Sequence, residues 1–244
     1  TKASRQRELA ALRKLAEVLA VVDFQNPTRK AAYDSLKLLK VRNVPGAQDS
    51  ERDRRALSPA EADRMIRVDK ANPTAKGKRD HAIVATLLLT GLRRAEAVAL
   101  RWSNVDFQHG TITVRHGKGD KPRRVAIYGE EAIEALKAWQ LAQPSGYEYV
   151  FVNMRKGDNF TGDRPMTTTS IWRIVEATAE AAGIGHVKPH DLRGTLATEL
   201  LSTGTPVHDV ADQLGHANPS TTLKNYATAT EARERRKRGK VRYG

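Results

Sequence analysis

Residues 188–226 read KPHDLRGTLATELLSTGTPVHDVADQLGHANPSTTLKNY. The stretch holds His190 and Arg193 three residues apart, a Leu214-Gly215-His216 turn, and Tyr226 ten residues beyond that turn's histidine. If the segment is helical, His190 and Arg193 lie one turn apart and project to the same side. The pair suits a phosphate, because Arg presents a planar fork of donors and His can give or take a proton near neutral pH. A tyrosine nearby supplies an oxygen nucleophile able to form a covalent intermediate. Leu192, Leu196 and Leu200 are spaced to face a core, which predicts a helix over 191–202 with His190 capping or preceding it. Gly204-Thr205-Pro206 turns the chain into a short helix over 207–214. Gly215 then presents His216, and 219–226 reads as a further helix capped near Asn218. Two short helices across a glycine turn also fit a helix-turn-helix, a reading without catalysis.

Further upstream, residues 90–102 read TGLRRAEAVALRW and residues 116–125 read HGKGDKPRRV. Ile83, Val84, Leu87 and Leu88 give 77–90 a strongly apolar helical face. Gly91 suits a left-handed C-cap, and Arg93 opens the next helix, 93–101. An Arg at a helix start is well placed for an anion, since unpaired N–H groups point there too. Its neighbour Arg94 is either solvated or a contact to backbone phosphate. Residues 102–128 are the one clear β region: 111–115 and 123–127 alternate polar with apolar, joined by Gly117-Lys118-Gly119-Asp120. Lys118 rides at the tip of that turn, with Lys121 as its rival.

Together these motifs carry a resemblance. HDLRGTLAT followed by LGHANPSTTLKNYA resembles the C-terminal half of a tyrosine recombinase of the phage-integrase family. TGLRRAEAVALRW resembles that family's first arginine box, and HGKGDKPRRV its β-hairpin lysine. Four motifs in the family's order, over roughly residues 57–227, are specific where any one would be weak. The resemblance implies a mainly α fold with one small antiparallel β-sheet. It implies a site-specific DNA recombinase or integrase that cleaves and rejoins strands through a 3′-phosphotyrosyl intermediate, without metal, cofactor or ATP. Residue by residue, Arg93 and Arg193, helped by His216, would clamp the non-bridging oxygens of the scissile phosphate. Tyr226 would be the nucleophile, His190 its proton acceptor, and Lys118 the general acid to the departing 5′ oxygen. Glu96 would hold the basic groups without reacting. The implied partner is double-stranded DNA, with self-association as a tetramer on paired sites. A type IB topoisomerase-like enzyme would share these residues but would relax supercoils as a monomer.

Composition agrees with a polyanion as partner. Lys plus Arg number 42 against 28 Asp plus Glu, a formal net charge of +14 on 244 residues. The absence of cysteine excludes disulfides, thiolate zinc sites and a cysteine nucleophile. No apolar run is long enough to span a bilayer; the longest, 82–89, is interrupted by Thr86. The expectation is a cytoplasmic, nucleoid-associated protein with no membrane contact.

Four segments are expected. Residues 1–45 form a partial N-terminal helical module, with helices over 5–22 and 28–41, fewer than the family's usual core-binding helices. Residues 46–57 form a linker, 58–228 the catalytic domain and 229–244 a basic tail. Ser58-Pro59-Ala60-Glu61 reads as a capped helix start. Further helices are expected over 130–141 and 167–182, a short strand over 149–153, and a loop over 154–165.

Overall fold

The structure is a computed structural model and describes residues 55–115, 122–155, 157–216 and 222. The two expected N-terminal helices, most of the expected linker, the turn expected to carry Lys118, Tyr226 and the basic tail lie outside the described residues.

The first helix, α1 (Pro59–Arg67), starts as its sequence predicts. Ser58 Oγ accepts from the Glu61 N–H, Glu61 accepts from the Ser58 N–H at 2.8 Å, and Pro59 occupies the first turn. Just before it, Leu57 is buried and donates its N–H to Thr195 Oγ1 at 2.9 Å, while Arg55 donates to the Ile184 carbonyl. Helix α2 (Ala75–Thr90) is the central element: its residues from Ala82 to Leu88 are all buried. It packs against α1, against α4 (Glu130–Ala142), against α5 (Thr168–Ala181) and against α6 (Pro189–Ser202). A helix apolar on all sides forms only where neighbours cover every face. The last helix with described bounds, α7 (Val207–Leu214), packs on α6.

Strands β1 (Val105–Asp106), β2 (Thr111–Val114) and β3 (Arg123–Ala126) form an antiparallel sheet in that order. Ile112 pairs with Val125 and Val114 with Arg123, so Ile112, Val114 and Val125 turn one face to the core. The fold is mainly helical, as expected, but it has a second small sheet. Residues 154–165, read as a loop, belong to a hairpin of β4 (Val152–Arg155) and β5 (Asn159–Pro165). Its support is tertiary, not local. Phe160 stacks on the buried Trp139 at 5.8 Å and meets Tyr147 edge-on at 6.0 Å. At the hairpin's tip, Asp158 accepts the Ala75 and Lys76 N–H groups at the start of α2, at 2.9 and 3.0 Å.

The helix expected over 93–101 is also shorter than its sequence suggests: α3 spans Arg94–Val98. Leu100 and Trp102 are drawn into extended pairing instead, with Val150 N–H bonding to Leu100 O and Trp102 N–H to Glu148 O, both at 2.9 Å. Among the described residues, no helix is long and apolar enough to cross a membrane.

Candidate active site

The ends of α2 and α7 and the first turns of α3 and α6 meet at one place. Helix α2 stops at Gly91, whose φ of 68° is the left-handed conformation its sequence position predicts. A Cβ there would sit 2.9 Å from Leu214 Cδ2 and 3.1 Å from Leu196 Cδ2, so only a glycine lets α2 end against α6 and α7. The chain then passes through buried Leu92 to Arg93, the residue that caps α3. Helix α7 ends the same way, at Gly215 with φ 64°.

The two arginines of the motifs converge on that second glycine turn. Arg93 donates from Nη2 to the Gly215 carbonyl at 2.7 Å. Arg193, one turn into α6 and only 2% exposed, donates from Nη2 to the Leu214 carbonyl and from Nη1 to the Gly91 carbonyl. Consecutive carbonyls at the C-terminus of α7 therefore hold the two guanidinium groups side by side. Carbonyls at a helix C-terminus carry partial negative charge, which offsets the repulsion between the two cations. His216 follows immediately. Its N–H bonds to Ala211 O at 2.9 Å, and its Nδ1 lies 2.8 Å from Thr222 Oγ1.

Glu96 lies behind Arg93 with its side chain 7% exposed, and each of its oxygens meets both arginines in its vicinity. Oε1 accepts from Arg93 Nη1 at 2.8 Å and Arg123 Nη1 at 3.0 Å. Oε2 accepts from the Arg93 backbone N–H at 2.8 Å and Arg123 Nη2 at 2.9 Å. Burial by itself would push the Glu96 carboxyl up; the hydrogen bonds from Arg123 and the Arg93 N–H outweigh it and hold the group at about 2. A folded-state value below the unfolded 4.5 stabilises the fold fully above about pH 4.5, and that contribution is lost as pH falls toward 2. Wild type should therefore melt above Glu96→Gln at neutral pH, and the gap should narrow between about pH 5 and pH 3 in thermal scans. A gap of constant size through that window would mean that Glu96 is not held as an ionised partner.

The structure thus brings Arg93, Glu96, Arg193 and His216 to one site. His190 lies in the first turn of α6, exposed between buried Pro189 and Asp191 and one turn before Arg193. Lys118 and Tyr226 lie outside the described residues. Arg94 is exposed and takes no part in the Glu96 cluster.

Two residues were not foreseen. Arg123 is the second ligand of Glu96, and Gln213 ties the sheet to the helices. Gln213 Nε2 donates to Thr90 O and Ala126 O, and its Oε1 accepts from Ala126 N–H, all at 2.9 Å. A signal existed for each. Arg123 falls in phase with Val125 on the inward face of β3, and Gln213 falls in the apolar stripe of α7 with Val210 and Leu214. A polar residue in an apolar phase needs an internal partner.

The chain is similar to known proteins over most of its length. The model described as "Phage integrase family" matches residues 55–233. The chain is 36% identical over 203 residues to the tyrosine recombinase XerD of Neisseria meningitidis serogroup A, an overlap of 81% of this chain and 62% of that protein. It is 34% identical over 144 residues to the tyrosine recombinase XerA of Pyrococcus furiosus, covering 59% of this chain and 48% of that protein. It thus spans less than two thirds of the length of these curated relatives. Among solved structures, that of a XerA recombinase superposes with a TM-score of 0.65 at 29% identity, over 96% of this chain and 84% of that one. A XerH site-specific recombinase bound to palindromic difH substrate gives 0.65 at 22% identity, over 93% and 71%, a likeness of fold.

Proposed function

The chain belongs to the phage integrase family, and on that premise we propose that it is a tyrosine-type site-specific recombinase acting on double-stranded DNA. The observation that carries the proposal is the pair of guanidinium groups on the Leu214 and Gly215 carbonyls, with His216 next in sequence. Attack on a phosphodiester places added negative charge on the non-bridging oxygens of a five-coordinate phosphorus. Fixed cations that need no rearrangement stabilise that charge best, and each such donor is worth on the order of 10²–10³ in rate.

In this reading the Tyr226 phenol oxygen bonds to the scissile phosphorus as the bond from phosphorus to the 5′ oxygen breaks. A phenol with an ordinary pKa of about 10 is mostly neutral at pH 7, so its proton must leave during attack. His190, exposed at the rim of α6, is the acceptor. Lys118 gives a proton to the 5′ oxygen, and Arg93, Arg193 and His216 neutralise the charge on the non-bridging oxygens. The product is a 3′-phosphotyrosyl bond and a free 5′ hydroxyl. Attack by a second 5′ hydroxyl on that bond reseals DNA without ATP. Two sites brought together by a tetramer of this chain would exchange strands in this way, in the cytoplasm and on the nucleoid. The chain's excess of basic residues, including those of 229–244, supplies the contacts to backbone phosphate.

A nicked suicide substrate tests the proposal. The protein should form an SDS-stable covalent adduct through a 3′ phosphate, unaffected by excess EDTA, and should exchange strands between paired sites. Adduct with supercoil relaxation and no exchange would favour a topoisomerase of the same chemistry. No adduct, or a requirement for a divalent ion, would overturn the chemistry itself. The helix-turn-helix reading is disfavoured by charge: α7 turns Asp209 and Asp212 outward, where a reading helix would meet phosphate.

A further inference from the structure

Arg123 stands outside the set of groups just assigned to the reaction, yet its surroundings tie it to that set more tightly than to the core. It opens β3, is buried apart from a small fraction of its side chain, and forks onto both oxygens of Glu96. Its guanidinium also lies against Gly215: a Cβ at that glycine would fall 2.7 Å from Arg123 Cζ and Nε. Glycine at 215 therefore makes room for the guanidinium beside the carbonyl that holds Arg93. Three residues along the strand, Gln213 clamps both the N–H and the carbonyl of Ala126, so β3 is fixed in register against α7.

The arrangement at Glu96 limits how Arg93 can bind. Arg123 Nη2 and the Arg93 backbone N–H occupy Oε2, so the Arg93 side chain reaches only Oε1, through a single nitrogen. Its other terminal nitrogen goes to Gly215 O, and the side chain stays 41% exposed. Without Arg123, a largely buried carboxylate would keep Arg93 as a cation partner. The forked, two-bonded geometry that guanidinium and carboxylate favour would then draw Arg93 inward, off Gly215 and away from solvent.

We propose that Arg123 is a positioning residue for cleavage: by occupying Glu96 it holds the Arg93 guanidinium outward, at the place where a non-bridging oxygen of the scissile phosphate is met. This rests on the recombinase reading above. It assigns Arg123 no contact with DNA and no part in proton transfer.

The test compares two scissile linkages in single-turnover assays on the suicide substrate. One is the ordinary phosphodiester. The other is a methylphosphonate, in which one charged non-bridging oxygen is replaced by a neutral methyl group and the demand for one of the two arginines falls. Arg123→Gln should cleave the phosphodiester about 10²-fold more slowly than wild type. On at least one methylphosphonate diastereomer that deficit should shrink by about tenfold or more, in parallel with the deficit of Arg93→Ala. Arg123→Lys, which restores the charge without the fork, should fall between wild type and Arg123→Gln on the phosphodiester. A variant that is merely misfolded is slowed equally on both linkages. Equal deficits on the two substrates would overturn the proposal, as would a wild-type rate for Arg123→Gln. If Arg123→Gln does not fold, Arg123→Lys carries the same comparison. Absence of adduct with the wild-type protein would instead refute the recombinase reading.

Discussion

Tyr226→Phe is expected to bind DNA with the affinity of the wild-type protein and to form no covalent adduct. Nothing else in the proposed mechanism has so complete an effect, because the substitution removes the one atom that bonds to phosphorus and leaves the ring in place. Binding should persist, since affinity for duplex DNA comes mainly from Lys and Arg contacts to many phosphates, and the substitution changes no charge. A gel shift at fixed salt and a denaturing gel on the same samples measure the two quantities together. A 3′-phosphate-linked adduct from the variant would reject Tyr226 as nucleophile. Tyr243 is the only later tyrosine in the chain, so Tyr243→Phe serves as the control and should retain the adduct.

Arg193→Lys should lose about 10²–10³ in cleavage rate while its DNA affinity changes little. Charge is conserved in this substitution, so the loss has to come from geometry. The guanidinium reaches two carbonyls on different helices, Gly91 at the end of α2 and Leu214 at the end of α7, from a position 2% exposed. An ammonium is a point donor on a flexible stem and cannot reproduce the planar fork. One of the two carbonyls would then be left buried without that donor, at a cost of about 1–3 kcal/mol in stability, readable in urea melts. A cleavage rate within about tenfold of wild type would show that the fork at Arg193 is not what stabilises the transition state.

The parts of the fold legible in the sequence are those whose cause is local. Ser58, Pro59 and Glu61 specify the start of α1 among themselves, and Gly91 specifies the end of α2 through its own backbone. The apolar periodicity of α2 and the leucine spacing of α6 place both helices in the core. What was missed depends on distant partners. The β4–β5 hairpin has little apolar alternation of its own and forms because Phe160 finds Trp139 and Asp158 finds the start of α2. Residues 93–101 read as one helix because the pairing with Glu148 and Val150 that ends it at Val98 cannot be seen within them. At the site, Arg93, Glu96, Arg193 and His216 were readable from motif order. Arg123 and Gln213 were not: each looks like a strand or helix residue until its partner, Glu96 or Thr90, is brought beside it.

The seating of both arginines on adjacent peptide groups has a consequence for how this chain can vary. Successive residues of an α-helix are rotated by about 100°, at 3.6 residues per turn. Deleting or inserting a single residue within Val207–Leu214 would swing the final carbonyls by that angle and aim them away from both side chains. Changes of side chain along the outer face of that helix leave the carbonyls where they are. Variation there is thus confined to substitution at fixed length.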